Sequence, residues 1–216
     1  MRRLTEMRGF YAASALDESD LAATWLAQFE RWLDDAINAG VPEPNATVMA
    51  TADVACRPSA RTVLLKLVDE HGFVLYTNVE SRKGRETAAN PSAALVFSWI
   101  ALHRQVVVSG AVERVDDKEA DAYFASRPHG SRLGALASPQ SQVISSRVAL
   151  DQARAVLARR YPEGSRVPRP RTWCGLRVVP DSVEFWQGRA DRLHDRLRFR
   201  RDDNAGGRWV VERLAP

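Results

Sequence analysis

The 216-residue sequence is poor in the residues that build metal sites and disulfide frameworks. Its only two cysteines, Cys56 and Cys174, lie far apart and outside any Cys-x-x-Cys pair, and none of its four histidines is spaced to share a metal with another ligand. Structural zinc sites and disulfide scaffolds depend on such spacings. The sequence therefore predicts no metal site, and we expect both cysteines to be small, buried or half-buried residues.

Long apolar runs are also missing. No segment approaches the roughly 18 apolar residues that a membrane-spanning helix needs, and the start of the sequence lacks the apolar core of a signal peptide. Neither Gly-x-Gly-x-x-Gly after a strand, nor a Walker A pattern, nor a Gly-x-Ser-x-Gly elbow occurs. We therefore expect a cytoplasmic protein without a membrane partner, a dinucleotide fold, a P-loop or an acyl-transfer elbow.

Lysine is scarce, with three among 31 basic residues, and the net charge is only +4. Nucleic-acid binding favours a dense basic stripe with interleaved aromatic residues, whereas acidic residues are mixed in almost everywhere here. We therefore expect no nucleic-acid partner. The 45% hydrophobic fraction and the chain length suit one well-filled domain.

Periodicity divides the chain into an arm and a folded domain. Residues 1–18 lack a clear period and are predicted to form a mobile or partner-dependent arm, which contains Arg8 and Tyr11. Residues 19–216 are predicted to be a single domain. A helical period covers residues 20–39, with Asp20 as the expected N-cap and a glycine at its end.

Short strands and interspersed helices are predicted for the rest of the chain. The expected strands are residues 47–51, 61–68, 73–77, 93–100, 105–114, 175–179, 182–186, 193–200 and 208–213. The expected helices are residues 81–90, 118–126, 128–137 and 148–160. Consecutive strands with short turns indicate an α+β protein built on a closed or partly closed antiparallel barrel.

The stretch 184–196 carries the densest set of candidate binding residues. After an apolar strand that includes Trp186, the residues Arg192, His194 and Arg196 occupy alternating positions. In an extended chain these three side chains would share one face. Beside an indole they would suit an anionic aromatic ligand. A hairpin with a solvated basic strand is the alternative, and a lone histidine is more often structural than catalytic.

Two further segments are candidate anion sites. Residues 61–66 form a mostly apolar strand with a cation at each end, and these cations face opposite sides unless a bulge intervenes. Residues 81–85 open a helix, where Arg82 and Lys83 join the unpaired backbone N–H groups. This combination predicts a phosphate cradle, with an ordinary solvated helix start as the alternative.

A second phosphate site is indicated by Tyr123 and Arg127, which are four residues apart on one helix. Ser131 would reach the same point from the start of the next helix, and a phenol, a guanidinium and a hydroxyl together suit a phosphate. An ordinary helix terminus explains the same spacing. Gln140 and Ser141 could offer amide and hydroxyl contacts to a heteroaromatic ring.

In this order and at this spacing, the segments resemble the pyridoxamine (pyridoxine) 5′-phosphate oxidase family. The similarity runs from residues 29–33 to residues 213–216. Its most specific pieces are residues 61–66, 76–78, 81–83, 104–105, 126–128, 139–141, 184–188 and 192–196. The resemblance implies a homodimeric, antiparallel split β-barrel with peripheral helices and FMN at the subunit interface.

The resemblance also implies roles for individual residues. FMN contacts would fall on Arg61, Thr62, Val63, Leu64, Leu65, Lys66, Tyr76, Thr77, Arg82, Lys83, Gln105, Gln140, Ser141, Trp186 and Arg196. The substrate would meet Arg8, Tyr11, Lys66, Tyr123, Arg127, Ser131, Arg192 and His194. Of these, Arg192 and His194 would be catalytic.

The implied reaction oxidises pyridoxamine or pyridoxine 5′-phosphate to pyridoxal 5′-phosphate. A hydride passes from C4′ of the substrate to N5 of FMN, and O2 then reoxidises the flavin and gives hydrogen peroxide. One departure from the family pattern is the segment 12–20. It contains only acidic and uncharged residues, where relatives often carry a basic arm. A phenazine-type flavin oxidase and a non-catalytic flavin- or haem-binding barrel are the alternatives.

Overall fold

The computed structural model of the chain describes residues 15–216, so Arg8 and Tyr11 of the predicted substrate set lie outside the described residues. The helices of the described part are α1 (Trp25–Asn38), α2 (Arg82–Ala89), α3 (Asp117–Ser126), α4 (His129–Ala137) and α5 (Arg147–Arg160). Among residues 15–216, no helix has the length and apolar character that a bilayer crossing requires.

The strands lie between and after these helices in the chain, in runs of two to four, and form one sheet. They are β1 (Ala46–Ala52), β2 (Pro58–Leu64), β3 (Leu67–Asp69), β4 (Gly72–Asn78), β5 (Ser92–Trp99), β6 (Arg104–Arg114), β7 (Trp173–Gln187), β8 (Asp195–Asp202) and β9 (Arg208–Arg213). The strand order is β2-β1-β5-β6-β7-β4-β3, and β8 pairs with both β7 and β9. The mixture of helices with an antiparallel sheet agrees with the predicted α+β class.

The long strand β7 replaces the two predicted strands at residues 175–179 and 182–186. Its first part pairs antiparallel with β4, where Tyr76 lies opposite Gly175. Its second part pairs antiparallel with β8, where Trp186 lies opposite Arg196. Pro180 lies between the two paired parts, so neither the pairing with β4 nor the pairing with β8 requires an N–H from it.

The chain forms two compact units. Of the described residues, the first unit comprises residues 15–49 together with Ala94–Gly110 and Pro180–Pro216. In its core, the ring of Phe29 meets Phe97 edge-on at 4.9 Å between centroids, and Trp32 meets Phe185 edge-on at 5.3 Å. These buried aromatic pairs pack the apolar face of α1 against the strands of the first unit that carry Phe97 and Phe185.

The start of α1 differs from the prediction that Asp20 is its N-cap. The helix begins after Thr24, whose hydroxyl accepts a hydrogen bond from the N–H of Ala27 at 3.1 Å. Asp20 instead belongs to a short 3₁₀ turn and accepts from the N–H of Asp17 at 2.9 Å. Aspartate and threonine are both good N-caps. Here Asp20 is used by the 3₁₀ turn, and Thr24 caps α1. The helix ends at Asn38, one residue before the predicted end, and Gly40 with a φ of 68° follows its C-cap as the predicted stop.

The second unit comprises Ala50–Ala93 and Ala111–Val179. One of its hydrophobic clusters is formed by Phe124, Leu133, Val167 and Trp173. The predicted strand 61–68 is broken in this unit, because β2 ends at Leu64 and β3 starts at Leu67. Within the break, the N–H of Lys66 donates to the carbonyl oxygen of Val74 at 2.9 Å. The interruption allows Lys66 to share a surface with β2.

The two cysteines have different environments. Cys174 is buried on β7, as expected. The expectation for Cys56 was wrong, because it is exposed at a φ of 58° in the turn between β1 and β2. Asp53 holds this turn by accepting from the N–H groups of Ala55 and Arg57 at 2.9 and 3.0 Å.

Candidate functional site

A cavity of about 250 Å³ lies in the second unit, where β2, β4 and α2 meet residues from α3 and the start of β7. Its lining residues are Thr62, Val63, Leu64, Lys66, Tyr76, Thr77, Lys83, Tyr123, Arg127, Gln140 and Trp173. All of these except Trp173 belong to the residues that the sequence assigned to cofactor or substrate. The structure therefore brings residues at the end of β2 together with residues as far along the chain as Trp173.

Three nearly parallel aromatic rings form one wall of the cavity. The ring of Tyr76 stacks on Tyr123 at 4.1 Å and on Trp173 at 5.1 Å, with interplanar angles of 18° and 9°. Stacked rings of this kind give the cavity one flat aromatic surface. Burial raises the pKa of Tyr123, so its phenol is protonated at neutral pH and can donate a hydrogen bond.

Arg127 lies against this wall at the C-terminal end of α3. Its guanidinium carbon is 5.1 Å from the ring centroid of Trp173 and 5.7 Å from that of Phe124. Burial lowers the pKa of Arg127. Its Nη1 is buried without a hydrogen-bond partner among the described residues. A buried donor left unpaired costs about 1–3 kcal/mol, and an anionic ligand would remove that cost.

Lys83 supplies a second cation to the cavity and is only 7% exposed. Its Nζ donates to the hydroxyl of Thr77 at 3.0 Å and to the amide oxygen of Gln140 at 3.3 Å, both of which are neutral. Burial, and then the nearby charge of Arg61, lower the pKa of Lys83. The hydroxyl of Thr77 also donates to Gln140 at 3.0 Å, so the three side chains form one polar group.

The N-terminus of α2 forms where the sequence indicated it. Ser81 is the N-cap, and its Oγ accepts from the N–H of Gly84 at 3.3 Å. A Cβ at Gly84 would lie 2.3 Å from the carbonyl oxygen of Val79, so the backbone approach at this turn requires glycine. The tight turn brings Lys83 inward toward the cavity.

Arg61 and Arg82 do not line this cavity. Both donate to the carboxylate of Glu86, Arg61 through Nη2 at 3.2 Å and Arg82 through Nε at 2.8 Å. The prediction that Arg82 belongs to the helix start is confirmed by its place as the first residue of α2. Its proposed ligand contact stays a prediction.

The first unit carries five further predicted site residues, which are Gln105, Trp186, Arg192, His194 and Arg196. The rings of Trp186 and His194 are 4.6 Å apart between centroids. Nδ1 of His194 accepts from the N–H of Arg189 at 3.0 Å. A neutral imidazole with an accepting Nδ1 carries its proton on Nε2, so His194 presents Nε2 as a donor.

The predicted alternation of Arg192, His194 and Arg196 along one extended strand was wrong. Residues Ala190–Arg192 form a 3₁₀ turn in which Asp191 and Arg192 have φ values of 55° and 62°. Strand β8 begins only at Asp195. Two consecutive left-handed residues redirect the chain, so the alternation of a regular strand does not apply to Arg192.

Arg196 is on β8 and is bound on both sides. Its Nε and Nη2 donate to the carboxylate of Glu184 at 2.7 and 3.0 Å, and its Nη1 donates to the carbonyl oxygen of Ala215 at 3.0 Å. Arg196 thereby holds the segment after β9 beside His194. A second cavity, of about 370 Å³, is lined by Leu193, His194, Arg213, Leu214, Ala215 and Pro216.

Besides Arg61 and Arg82, the predicted residues in the described part of the chain that line neither cavity are Leu65, Gln105, Ser131, Ser141, Trp186, Arg192 and Arg196. Leu65 is buried in the break between β2 and β3, and Gln105 is half-buried on β6. Ser131, in the first turn of α4, and Ser141, at a φ of 69°, are exposed. Within residues 15–216, no cluster of three or more His, Cys, Asp or Glu side chains could hold a metal ion.

Sequence reasoning missed Trp173, which is central to the aromatic wall. It is the first residue of β7, it is 6% exposed, and it contacts Tyr76, Tyr123 and Arg127. The only signal in the sequence is an aromatic residue that follows a proline-rich link and opens a strand. Its contacts come from elements far apart in the chain, so spacing alone does not reveal them.

Comparisons with protein families give two matches that together cover most of the chain. Residues 33–157 match the family model described as pyridoxamine 5′-phosphate oxidase. Residues 173–216 match the model described as the pyridoxine 5′-phosphate oxidase C-terminal dimerisation region. A pyridoxine/pyridoxamine 5′-phosphate oxidase of Salinispora arenicola (strain CNS-205) is 60% identical over 211 residues, which cover 97% of this chain and 95% of that protein.

Two solved structures show the fold. PhzG from Burkholderia lata 383, in complex with tetrahydrophenazine-1-carboxylic acid, is 32% identical and superposes with a TM-score of 0.88 over 96% of this chain and 100% of that one. A pyridoxamine 5′-phosphate oxidase-related, FMN binding protein from Nostoc punctiforme PCC 73102 is 18% identical, with a TM-score of 0.71 over 91% of this chain and 99% of that one.

The superpositions confirm the predicted fold class, an antiparallel split β-barrel with peripheral helices. The family model with the longer match covers more than half of the sequence, and the Salinispora relative is similar over almost all of it. On these matches, the chain belongs to the pyridoxamine 5′-phosphate oxidase family.

Proposed function

We propose that the protein is an FMN-dependent oxidase that converts pyridoxamine 5′-phosphate and pyridoxine 5′-phosphate to pyridoxal 5′-phosphate, with O2 as the acceptor and hydrogen peroxide as a product. The observation that carries the proposal is the buried, unpaired Nη1 of Arg127 at the cavity. Lys66 and Tyr123 line the same cavity. A guanidinium, an ammonium and a protonated phenol form a donor set suited to a phosphate.

The residues of the second unit also fit FMN. FMN combines a phosphate with a polar heteroaromatic ring, and the cavity offers a buried cation in Lys83, the amide of Gln140 and the end of β2. Buried cations with neutral partners favour an anionic ligand, because the ligand supplies the missing opposite charge. The donor set is therefore compatible with the cofactor that the family implies.

We further propose that the site is completed in a homodimer. Ligand pockets typically have about 300–1,000 Å³, and the cavity of about 250 Å³ must serve both a cofactor and a substrate. The remaining predicted contacts, including Trp186, Arg192 and His194, belong to the other unit. A family match named as a dimerisation region supports FMN at an interface between two chains.

When bound, FMN would accept a hydride from the substrate carbon next to the pyridine ring and pass the electrons to O2. The protein itself then has to bind the substrate, orient it and remove water from around it. Lys66, Tyr123 and Arg127 would hold the substrate phosphate and so fix the distance from that anchor to the reacting carbon.

Arg192 and His194 would act on the ring end of the substrate. Arg192 is an exposed cation in a left-handed turn, and it would position the substrate and favour charge development at the reacting carbon. His194 would support it as a donor through Nε2, because its Nδ1 is occupied by the N–H of Arg189. These roles follow the family pattern and the donor geometry.

The proposal is tested by an absorbance scan of the purified protein, followed by anaerobic addition of pyridoxine 5′-phosphate. We expect flavin bands, from a yellow protein, that bleach when the substrate is added. A colourless protein that FMN cannot reconstitute would contradict every flavin-oxidase assignment. A protein that binds FMN but is not bleached, and forms no pyridoxal 5′-phosphate, would contradict the proposed substrate.

A phenazine-type oxidase is the second candidate, because the solved structure with a TM-score of 0.88 is PhzG bound to a tetrahydrophenazine carboxylic acid. That ligand has no phosphate, whereas this chain places Lys66, Tyr123 and Arg127 on one cavity. Anaerobic addition of a tetrahydrophenazine carboxylic acid separates the two candidates. Bleaching by this compound and not by pyridoxine 5′-phosphate would favour the second. A non-catalytic flavin or haem barrel would be bleached by neither.

A further inference from the structure

Glu86 is a buried carboxylate at the centre of a hydrogen-bond network between α2, β1 and β2. Its side chain is 6% exposed. Its Oε2 accepts from the hydroxyl of Thr51 at 2.5 Å and from the hydroxyl of Ser59 at 2.6 Å. Arg61 and Arg82 donate to the same carboxylate at 3.2 and 2.8 Å. Four donors from three elements therefore converge on one side chain.

Arg61 closes this network a second time. Its Nη1 donates to the hydroxyl oxygen of Thr51 at 2.6 Å, and its Nη2 donates to the hydroxyl oxygen of Ser59. A hydroxyl has only one proton to donate, so each hydroxyl gives that proton to Glu86 and accepts from Arg61. The direction of every bond thus depends on an ionised carboxylate at position 86.

The charge state of Glu86 agrees with this arrangement. Burial alone would raise the pKa of Glu86, but the hydrogen bonds from Ser59, Thr51 and Arg82 outweigh it and lower the pKa to about 2. The carboxylate is therefore ionised at neutral pH. A buried charge is tolerated when its partners satisfy it, and here two of those partners are arginines that the family pattern assigns to FMN.

Arg82 retains donors for a ligand after it has paired with Glu86. The pairing uses the Nε–H, which leaves four N–H groups on the two terminal nitrogens outside this bond. The side chain of Arg82 is 57% exposed, so these groups are accessible to a ligand. An ion pair that orders the stem of the side chain without using its terminal nitrogens prepares the guanidinium for an anion.

We infer that Glu86 is a positioning residue for the phosphate group of FMN. It holds Arg61 on β2 and Arg82 on α2 in fixed orientations before the ligand binds. The inference rests on the proposed function, because it takes FMN as the ligand of both arginines. No family match or relative's name assigns such a role to this position.

Removal of Glu86 separates two physical effects that have opposite signs. Without the carboxylate the site gains net positive charge, and on charge alone a phosphate would bind more tightly. Without the carboxylate the two arginines also lose their fixed orientation, and the ligand must then order them at its own cost. The positioning role predicts that the second effect is larger, so that FMN binds more weakly.

The test compares FMN with riboflavin, which has the same ring system but no phosphate. The apoprotein and its Glu86→Ala and Glu86→Gln variants are titrated with each flavin, and the quenching of flavin fluorescence gives Kd. We expect Glu86→Ala to raise the Kd for FMN at least about tenfold and to leave the Kd for riboflavin unchanged. Glu86→Gln keeps an accepting oxygen, so its effect on FMN should have the same sign and be smaller.

Glu212→Gln is the matched control. Glu212 is also a carboxylate between two arginines, accepting from Arg198 at 2.6 Å and from Arg200 at 2.9 Å, but none of the three is assigned to a ligand. Its Kd values for FMN and riboflavin should equal those of the unmodified protein. If Glu86→Ala does not fold, the difference between the two flavins is read from Glu86→Gln.

The outcomes separate the inference from the function on which it rests. An unmodified protein that binds no FMN contradicts the proposed function. If the unmodified protein binds FMN, an unchanged or lower Kd in the Glu86 variants overturns the positioning role and leaves the oxidase proposal standing. Equal losses of affinity for FMN and for riboflavin would also overturn the positioning role. A purely structural defect weakens the binding of both flavins alike, whether or not they carry a phosphate.

Discussion

At the scale of single residues, Arg127 shows how the fold leaves a buried hydrogen-bond donor unpaired in the cavity. Aromatic rings hold its guanidinium in place, 5.1 Å from the centroid of Trp173, while its Nη1 is left without a partner among the described residues. Cation–π contacts orient an arginine but do not satisfy its N–H donors. The unpaired donor is therefore available for a ligand acceptor.

The Arg127→Lys variant should raise the KM for pyridoxine 5′-phosphate and change kcat less. Lysine keeps the charge but loses the planar set of donors, and a hydrogen bond to a charged group contributes about 1.5–3 kcal/mol, so we expect KM to rise roughly 10- to 150-fold. Steady-state kinetics at saturating O2 measure both constants. Arg147→Lys, at an exposed arginine of α5 paired with Asp151, is the control. An unchanged KM would remove Arg127 from the phosphate site.

The Arg192→Ala variant should lower turnover while FMN stays bound. Arg192 is exposed in a left-handed turn, so the loss of its side chain leaves the fold intact. Preorganised charge near a reacting centre commonly contributes about 100-fold or more to kcat, and we expect a loss of that order. Turnover and the flavin absorbance of the same sample are measured together. If the flavin is lost with the activity, Arg192 belongs to the cofactor site instead.

At the scale of secondary-structure elements, helix α2 depends on a turn that accepts only glycine. Its N-cap Ser81 is fully buried, and the backbone at Gly84 approaches the carbonyl of Val79 too closely for a Cβ. The turn buries Lys83 and leaves Arg82 exposed. The two cations of the phosphate cradle proposed from the sequence therefore lie on different sides of the helix start. Of the two, only Lys83 lines the cavity.

The Gly84→Ala variant should be destabilised, contrary to the usual preference for alanine in helices. Its Cβ would lie 2.3 Å from the carbonyl oxygen of Val79. At Gly134 in α4, by contrast, a Cβ meets nothing within 4 Å, so Gly134→Ala should stabilise the protein by up to about 1 kcal/mol. Urea unfolding of the two variants measures both changes in the free energy of unfolding. Changes of the same sign would contradict the steric argument.

Sequence periodicity identified the helices and most strands because local spacing determines which face of an element is buried. It failed where non-local contacts or unusual backbone angles determine the local structure. Asp20 and Thr24 are both good caps, and only the structure shows that Thr24 starts α1. The left-handed angles at Asp191 and Arg192 give only a weak sequence signal, because neither residue is glycine and aspartate adopts such angles only occasionally. The site residues came mainly from the family resemblance, which does not provide contacts such as those of Trp173.

At the scale of the whole molecule, glutamates held by arginines link stability to pH. The pKa values of Glu18, Glu86 and Glu212 are lowered to about 2 from the ordinary 4.5. A hydrogen bond from Arg213 has the largest effect on Glu18, one from Arg200 on Glu212, and those from hydroxyls and Arg82 outweigh burial at Glu86. These ionised side chains stabilise the folded state more than the unfolded one.

Stability should therefore fall as the pH is lowered from about 4.5 toward about 2. Because the folded-state pKa lies below the unfolded value, the stabilisation is complete above pH 4.5 and is lost as the pH approaches the folded pKa. Thermal unfolding at pH 7, 5, 4 and 3 measures the trend. Glu212→Gln should flatten this dependence, and a profile identical to that of the unmodified protein would show that Glu212 does not contribute.

The proposed dimer makes a prediction that no single-chain site can satisfy. The cavity with Arg127 belongs to one unit and Arg192 to the other. If FMN lies between two chains, one site takes the cavity of one protomer and the Arg192 region of its partner. A dimer of one Arg127→Ala chain and one Arg192→Ala chain then has one site with both changes and one site with neither.

Co-expression of these two variants should restore about a quarter of the normal activity, assayed at a pyridoxine 5′-phosphate concentration far below the raised KM of the Arg127 variant, where each variant alone has little activity. Random pairing makes half of the dimers mixed, and each mixed dimer has one intact site out of two. If instead each chain formed its own site, every site would carry one of the changes and activity would not return. Lys66→Ala with Arg127→Ala is the control pair, because both residues line the same cavity and no mixed dimer gains an intact site. Recovery in the first pair and not in the second would therefore place the site between two chains.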